Sequence, residues 1–334
     1  METKRKRARA RAQAHGVLRW MAGALLATAA WAAQAQAWPV KPIKLVVSFA
    51  PGGAADLIAR SIEPGLSAAL KQPVIIENKP GANGNLGAEM VAKAEPDGYT
   101  LLMSSGGTMS ANPFLYARMP FDPARDFTPV ASTAVVRSYL VVHPSVPANT
   151  VQEFLAWARS QGGKLSYASA GIGSSLHLAG EMFKRAGKFE AVHVPYRGAA
   201  PALGDLMAGQ VQFMFDSGPG LKQVAAGKLK ALAVGSPTRS PSAPQLPTLA
   251  EAGMPGFDAD TLFGIYAPAG VPREIVERLN AEINRQLREP KVQEVLLAAG
   301  LEPLPMGMMA FAERMRQERE RLGAFIREAG LRAE

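Results

Sequence analysis

From residue 43 onward, short apolar runs rich in β-branched residues alternate with stretches whose apolar positions recur every three or four residues. Residues 43–47 predict a strand and 55–70 a helix, followed by a strand at 74–76, a helix over 85–94 and a strand at 100–103. Strand, helix and strand joined by short links imply right-handed crossovers and a parallel sheet. The middle of the chain repeats the scheme. Thr150 and Glu153 form a capping-box pair ahead of a helix to about residue 160. Strands are predicted at 165–168, 191–194, 211–215 and 229–234, with helices over 174–186 and 199–208. The Pro- and Ser-rich stretch 236–247 is surface loop by composition. After a strand at 262–266 the pattern turns wholly helical. Pro272 and Pro290 each open a helix, and 311–329 is a long charged amphipathic one.

The first 37 residues follow a different rule. Lys4, Arg5, Lys6, Arg7, Arg9, Arg11 and Arg19 precede an uncharged, mostly apolar stretch over 20–33. Ala35-Gln36-Ala37 then supplies small residues at the two positions a signal peptidase requires, so export with cleavage after Ala37 is expected. The apolar run is too short for a membrane span and ends in Gln34 and Gln36. With no Arg-Arg pair in the leader, the general secretory route is favoured.

This leader carries most of the charge excess. The chain has 37 basic and 28 acidic residues; without the leader's seven basic residues and Glu2, 30 and 27 remain, and net charge falls from +9 to +3. No basic stripe interleaved with aromatics follows, so nucleic-acid binding drops out. Cysteine is absent, which excludes disulfides, thiolate metal sites, a Cys nucleophile and a lipid-anchoring cysteine. The expected product is free in the periplasm, with about 297 residues to bury a core, as two lobes rather than one. The helical tail is too polar and too fragmented for a core of its own, and should pack back on the first lobe.

Chemistry is expected in four loops at strand ends. The first, Ser48-Phe49-Ala50-Pro51-Gly52-Gly53-Ala54-Ala55-Asp56, joins two glycines to a helix start with free N–H groups and a positive dipole end. The second is Ser104-Ser105-Gly106-Gly107-Thr108 and the third Ser169-Ala170-Gly171-Ile172-Gly173-Ser174-Ser175. The fourth is the strand end Phe215-Asp216-Ser217. Ligands of open α/β sheets bind at the carboxyl ends of strands, and two such loops from each lobe would surround an anion with amides and hydroxyls.

Enzymatic platforms fit less well. Pro51-Gly52-Gly53 lacks the Lys and spacing of a phosphate-binding loop, and Gly171-Ile172-Gly173 has Leu176 where a dinucleotide fingerprint wants Gly or Ala. There is no G-x-S-x-G elbow. His143, His177 and His193 show no metal-ligand spacing. Ser174, His177 and Asp216 are a nominal hydrolytic set by residue type alone.

Several blocks together carry a resemblance across the chain after the leader. They include Lys41-Pro42-Ile43, Pro51-Gly52-Gly53, Asp56-Leu57-Ile58-Ala59-Arg60 and Glu77-Asn78-Lys79-Pro80-Gly81-Ala82. Pro96-Asp97-Gly98-Tyr99, Asn112-Pro113-Phe114-Leu115-Tyr116, His193-Val194-Pro195-Tyr196-Arg197-Gly198 and Ala267-Pro268-Ala269-Gly270 continue it. In this order they resemble the Bug family, periplasmic substrate-binding receptors of tripartite tricarboxylate transporters. The resemblance implies an α/β, type II periplasmic-binding-protein-like fold, two α/β lobes with a ligand cleft between them. It places lobe 1 at 38–140 and 262–334 and lobe 2 at 141–261. It implies a non-enzymatic monomer that needs no cofactor or metal, takes a carboxylate and meets transporter membrane subunits transiently. By position, the ligand-binding residues would be Phe49, Gly52, Gly53, Asp56, Ser104, Ser105, Thr108, Ser169, Gly173, Ser174 and Asp216. Arg197 would meet a distal acid group or serve only as a surface ion pair. Leu262 stands where many relatives have Trp, with consequences for ligand size if that position reaches the cleft. A sensor for a two-component system, or an envelope hydrolase using Ser174 and His177, stays open.

Overall fold

The structure, a computed structural model, describes residues 38–333, so the leader and its cleavage site lie outside the described residues. From Pro42 on, the chain is one unit built on two mixed sheets. The first contains β1 (Ile43–Val47), β2 (Val74–Asn78), β3 (Thr100–Ser105), β4 (Phe127–Val136), β10 (Thr261–Pro268) and β11 (Leu301–Pro303), in the order β11-β4-β10-β3-β1-β2. The second contains β5 (Tyr139–Val142), β6 (Leu165–Ser169), β7 (Ala191–Pro195), β8 (Phe213–Asp216) and β9 (Lys230–Val234), in the order β7-β6-β8-β5-β9. This is the α/β, two-lobed architecture expected from the resemblance.

The helices are α1 (Ala54–Leu70), α2 (Asn85–Ala92), α3 (Asn112–Leu115), α4 (Val151–Ser160), α5 (Ser175–Gly187), α6 (Ala199–Met207), α7 (Pro219–Ala225), α8 (Arg273–Gln286), α9 (Pro290–Ala298) and α10 (Met308–Ala329). Among the described residues no helix is long and apolar enough to cross a membrane. Thr150 caps α4 as its sequence predicts, accepting from the Glu153 N–H at 3.2 Å. Glu153 reaches one residue further back than a standard capping box, to the Asn149 N–H at 2.7 Å.

Among the strands, β1 pairs parallel with β2 and β3, and β6 with β7 and β8. These are the strand-helix-strand crossovers of the sequence pattern, while β4, β5, β9, β10 and β11 pair antiparallel, so both sheets are mixed. Two of the strands responsible, β4 and β5, leave little mark in the sequence. Most of β4 and all of β5 are buried on both faces, so neither alternates, and β4 contains Pro129. A register shift beside the Tyr266–Pro129 pair accommodates the missing N–H.

The chain crosses between sheets twice, at 137–138 and at 235–260. The Ser138 hydroxyl donates to the Ala259 carbonyl at 2.8 Å, and the Gly235 N–H to the Ser138 carbonyl at 2.6 Å. Arg137, in the first crossing, lies 3.1 Å from Asp260 in the second and 2.8 Å from Glu302 in β11. The tail after residue 270 is not all helical, because β11 joins the edge of the first sheet. Phe311 and Met315 of α10 pack with Val46, Leu102 and Tyr266 of that sheet. Further along, Leu322 and Ile326 pack with Leu115 of α3 and Leu178 of α5, so the last helix touches both lobes.

Candidate functional site

A cavity of about 340 Å³ lies between the two sheets. Gly52, Ala54, Leu57, Val136, Thr261, Phe263, Ala299 and Leu301 face it from the first-sheet side. Ala170, Ser174, Ser175, Leu176, Ala199, Ser217 and Pro219 face it from the other. Gly52, Pro219 and Ala299 are exposed and mark its mouth.

Three helices of nine or more residues begin on this wall. Ala54, Ser175 and Ala199 are the first residues of α1, α5 and α6, of 17, 13 and 9 residues. The caps of α1 and α6, Gly53 and Gly198, have no side chain to satisfy the first-turn N–H groups. Those donors, and the positive ends of the helix dipoles, are left for whatever enters. No Lys, Arg, His, Asp or Glu lines the cavity among the described residues. Any positive potential at this wall therefore comes from backbone groups.

Of the eleven residues assigned by position, Gly52 and Ser174 line the cavity. Gly52 holds the first loop in a turn at φ +81°, and its N–H donates to Asp56 Oδ2 at 2.9 Å. Gly53 is its neighbour and the α1 cap. Asp56 lies behind the loop, buried, its Oδ2 also taking Arg60 Nε at 2.9 Å and its Oδ1 taking Asn78 Nδ2 at 3.0 Å. Burial alone would raise its pKa, but Arg60, the Gly52 N–H and Asn78 hold it below the usual range. The carboxylate braces the loop. Phe49 meets the cavity indirectly, its ring edge-to-face with Phe263 at 6.4 Å.

The second loop is turned inward. Ser104 and Ser105 are the last residues of β3, and Ser104 Oγ pairs with Ser48 Oγ at 2.8 Å. The Thr108 N–H donates to Ser105 Oγ at 3.4 Å, while Thr108 Oγ1 donates to the Asn83 carbonyl at 2.9 Å. Asn83 Nδ2 in turn donates across the lobes to the Gly173 carbonyl at 3.3 Å. Thr108 thus supports, through Asn83, a contact between the lobes, while Ser104 and Ser105 bond within the first lobe.

In the third loop Gly173 turns at φ +77° and donates its N–H to His177 Nδ1 at 3.1 Å. Ser174 Oγ accepts the His177 N–H at 3.2 Å and donates to the Gly171 carbonyl at 2.7 Å. Ser169 is fully buried and pairs with His193 Nε2 at 2.6 Å. The His193 and His177 rings stack at 3.9 Å. Burial, with His177 alongside, pushes His193 down to about 4, and burial also lowers His177, so both rings stand neutral beneath the loop. In the fourth loop, buried Asp216 accepts the Gly218 and Gly220 N–H groups through Oδ2, each at 2.7 Å. Burial raises its pKa above the usual carboxylate range.

The hydrolytic set does not assemble. Ser174 Oγ bonds the backbone of His177 rather than its ring, and Asp216 serves its own loop. Arg197 is exposed and does not line the cavity. Leu262 is buried in the first-sheet core, and its neighbour Phe263 is the one facing the cavity. Val136, Thr261, Phe263 and Leu301, near the crossings, were not signalled by any loop motif.

Residues 58–331 match the model of the tripartite tricarboxylate transporter family receptor. This chain belongs to that family. The receptor is 42% identical over 323 residues to the UPF0065 protein in the tcbD-tcbE intergenic region of Pseudomonas sp. strain P51, covering 95% of this chain and 96% of that one. Two similar solved structures come from Rhodopseudomonas palustris. Rpa4515 with adipate is 36% identical with a TM-score of 0.78, covering 88% of the receptor and 99% of its own chain. MatC with bound malate is 35% identical with a TM-score of 0.74, covering 86% and 99%. The receptor is thus a periplasmic solute-binding protein by family, and its solved relatives are binding proteins rather than enzymes.

Proposed function

We propose that the receptor captures a small carboxylate in the cavity between its lobes and delivers it, as a monomer, to the membrane subunits of a tripartite transporter. One observation carries this reading: three helix starts meet at one uncharged cavity between the lobes. A carboxylate needs several donors aimed at two oxygens, and first-turn N–H groups meet that need without a counter-charge. The relatives solved with adipate and malate support an acid. On this reading the two crossings act as hinges and closure brings both walls onto the solute. Gly52, Ala54 and Ser174 contact it, and Asp56, Ser169, His177 and Asp216 hold the loops that do. The solute leaves unchanged, since Ser174 lacks a base. Export with cleavage after Ala37 puts the receptor free in the periplasm.

Thermal-shift screening of the purified receptor against mono-, di- and tricarboxylic acids tests this. A true ligand at a hundred times its Kd adds about 2.7 kcal/mol, a rise of roughly 4 °C for a chain this size. A panel in which no acid raises Tm refutes the reading.

A further inference from the structure

We infer that the preferred solute carries one carboxylate on an apolar body, rather than two or three carboxylates. This rests on the carboxylate reading above and narrows it. Leu57, Val136, Leu176, Phe263 and Leu301 converge on the cavity from both sheets, and all but half-buried Leu57 are buried. Phe263 is held by its edge-to-face contact with Phe49, so this apolar surface is fixed in place.

The polar inventory is short. Ser174, Ser175, Ser217 and Thr261 are the hydroxyls among the described lining residues, and Ser174 is already engaged with Gly171 and His177. The starts of α1, α5 and α6 are the donors the wall offers to an anionic group. A second carboxylate would have to sit against leucine, valine and phenylalanine with no cation within the wall, and a buried charge without a partner is strongly disfavoured. Arg197, the basic candidate for a distal acid, lies on the surface. The cavity is near the lower end of the size range for ligand sites, which also favours a compact solute.

Isothermal titration of the receptor, freed of solute by dialysis, with matched acids decides the point. Propionate, butyrate, pentanoate and hexanoate lengthen the apolar body one methylene at a time, and adipate is hexanoate with a second carboxylate. Affinity is expected to rise about fourfold per methylene until the cavity is filled. Hexanoate is expected to bind at least about tenfold more tightly than adipate. Leu57→Arg, which places a cation on the wall, should narrow or reverse that ratio. Adipate or citrate binding as tightly as hexanoate overturns the inference while leaving the carboxylate reading intact. Failure of every acid to bind overturns both.

Discussion

Glu318 offers a sharp test of how the lobes are joined. It lies on α10, 5% exposed, and its Oε1 packs so closely on Gly106 that a Cβ there would clash with it. Asp258 and Asp260 of the second crossing share a small cavity with it. Burial pushes its pKa from 4.5 to about 7, against the pull of Arg321 and Arg314. Its native state therefore keeps a proton that the unfolded chain has lost. Below pH 4.5 both states are protonated and there is no penalty. As pH rises from 4.5 through 7 the native state loses stability, by about 1.4 kcal/mol per pH unit of displacement, or about 3 kcal/mol in all. Glu318→Gln keeps the shape and removes the charge. The variant should match wild type at pH 4.5 and exceed it by about 3 kcal/mol at pH 8.5. Urea unfolding followed by circular dichroism at pH 4.5, 6.5 and 8.5 measures this directly, given an unchanged m-value. A gain independent of pH, or a loss at pH 8.5, would refute the argument.

Other outcomes follow from the same geometry. Leu322→Ala opens a void where α10 meets Leu115 and Leu178, and should cost about 2–4 kcal/mol in denaturant unfolding. Ser174→Ala removes the α5 cap, lowering stability by about 1 kcal/mol in the same assay, and should weaken solute binding in titration calorimetry. His193 is held down to about 4, so stability should decline as pH falls from 6.5 toward 4, where the unfolded chain takes up a proton first. Tm measured across that range should fall less steeply in His193→Gln.

What the sequence determined by itself was local. Ile43–Val47 appeared in its predicted place because a short β-branched run bounded by a turn has few alternatives. Thr150, Gly52 and Gly173 were legible because caps and positive-φ turns select residue types through the chain's own backbone. The motif blocks were enough to name the family. Tertiary structure decided which of these residues face the solute space. Ser104, Ser105, Thr108 and Asp56 have the chemistry of anion ligands, yet Ser48 takes up bonding capacity of Ser104, Asn83 of Thr108 and Asn78 of Asp56, all partners distant in sequence, while Ser105 meets Thr108 three residues on. Conversely, Val136, Phe263 and Leu301 read as ordinary core and become cavity wall because two sheets meet there. A side chain's type fixes what it can bond. Which partner claims it depends on contacts that only the folded chain brings together.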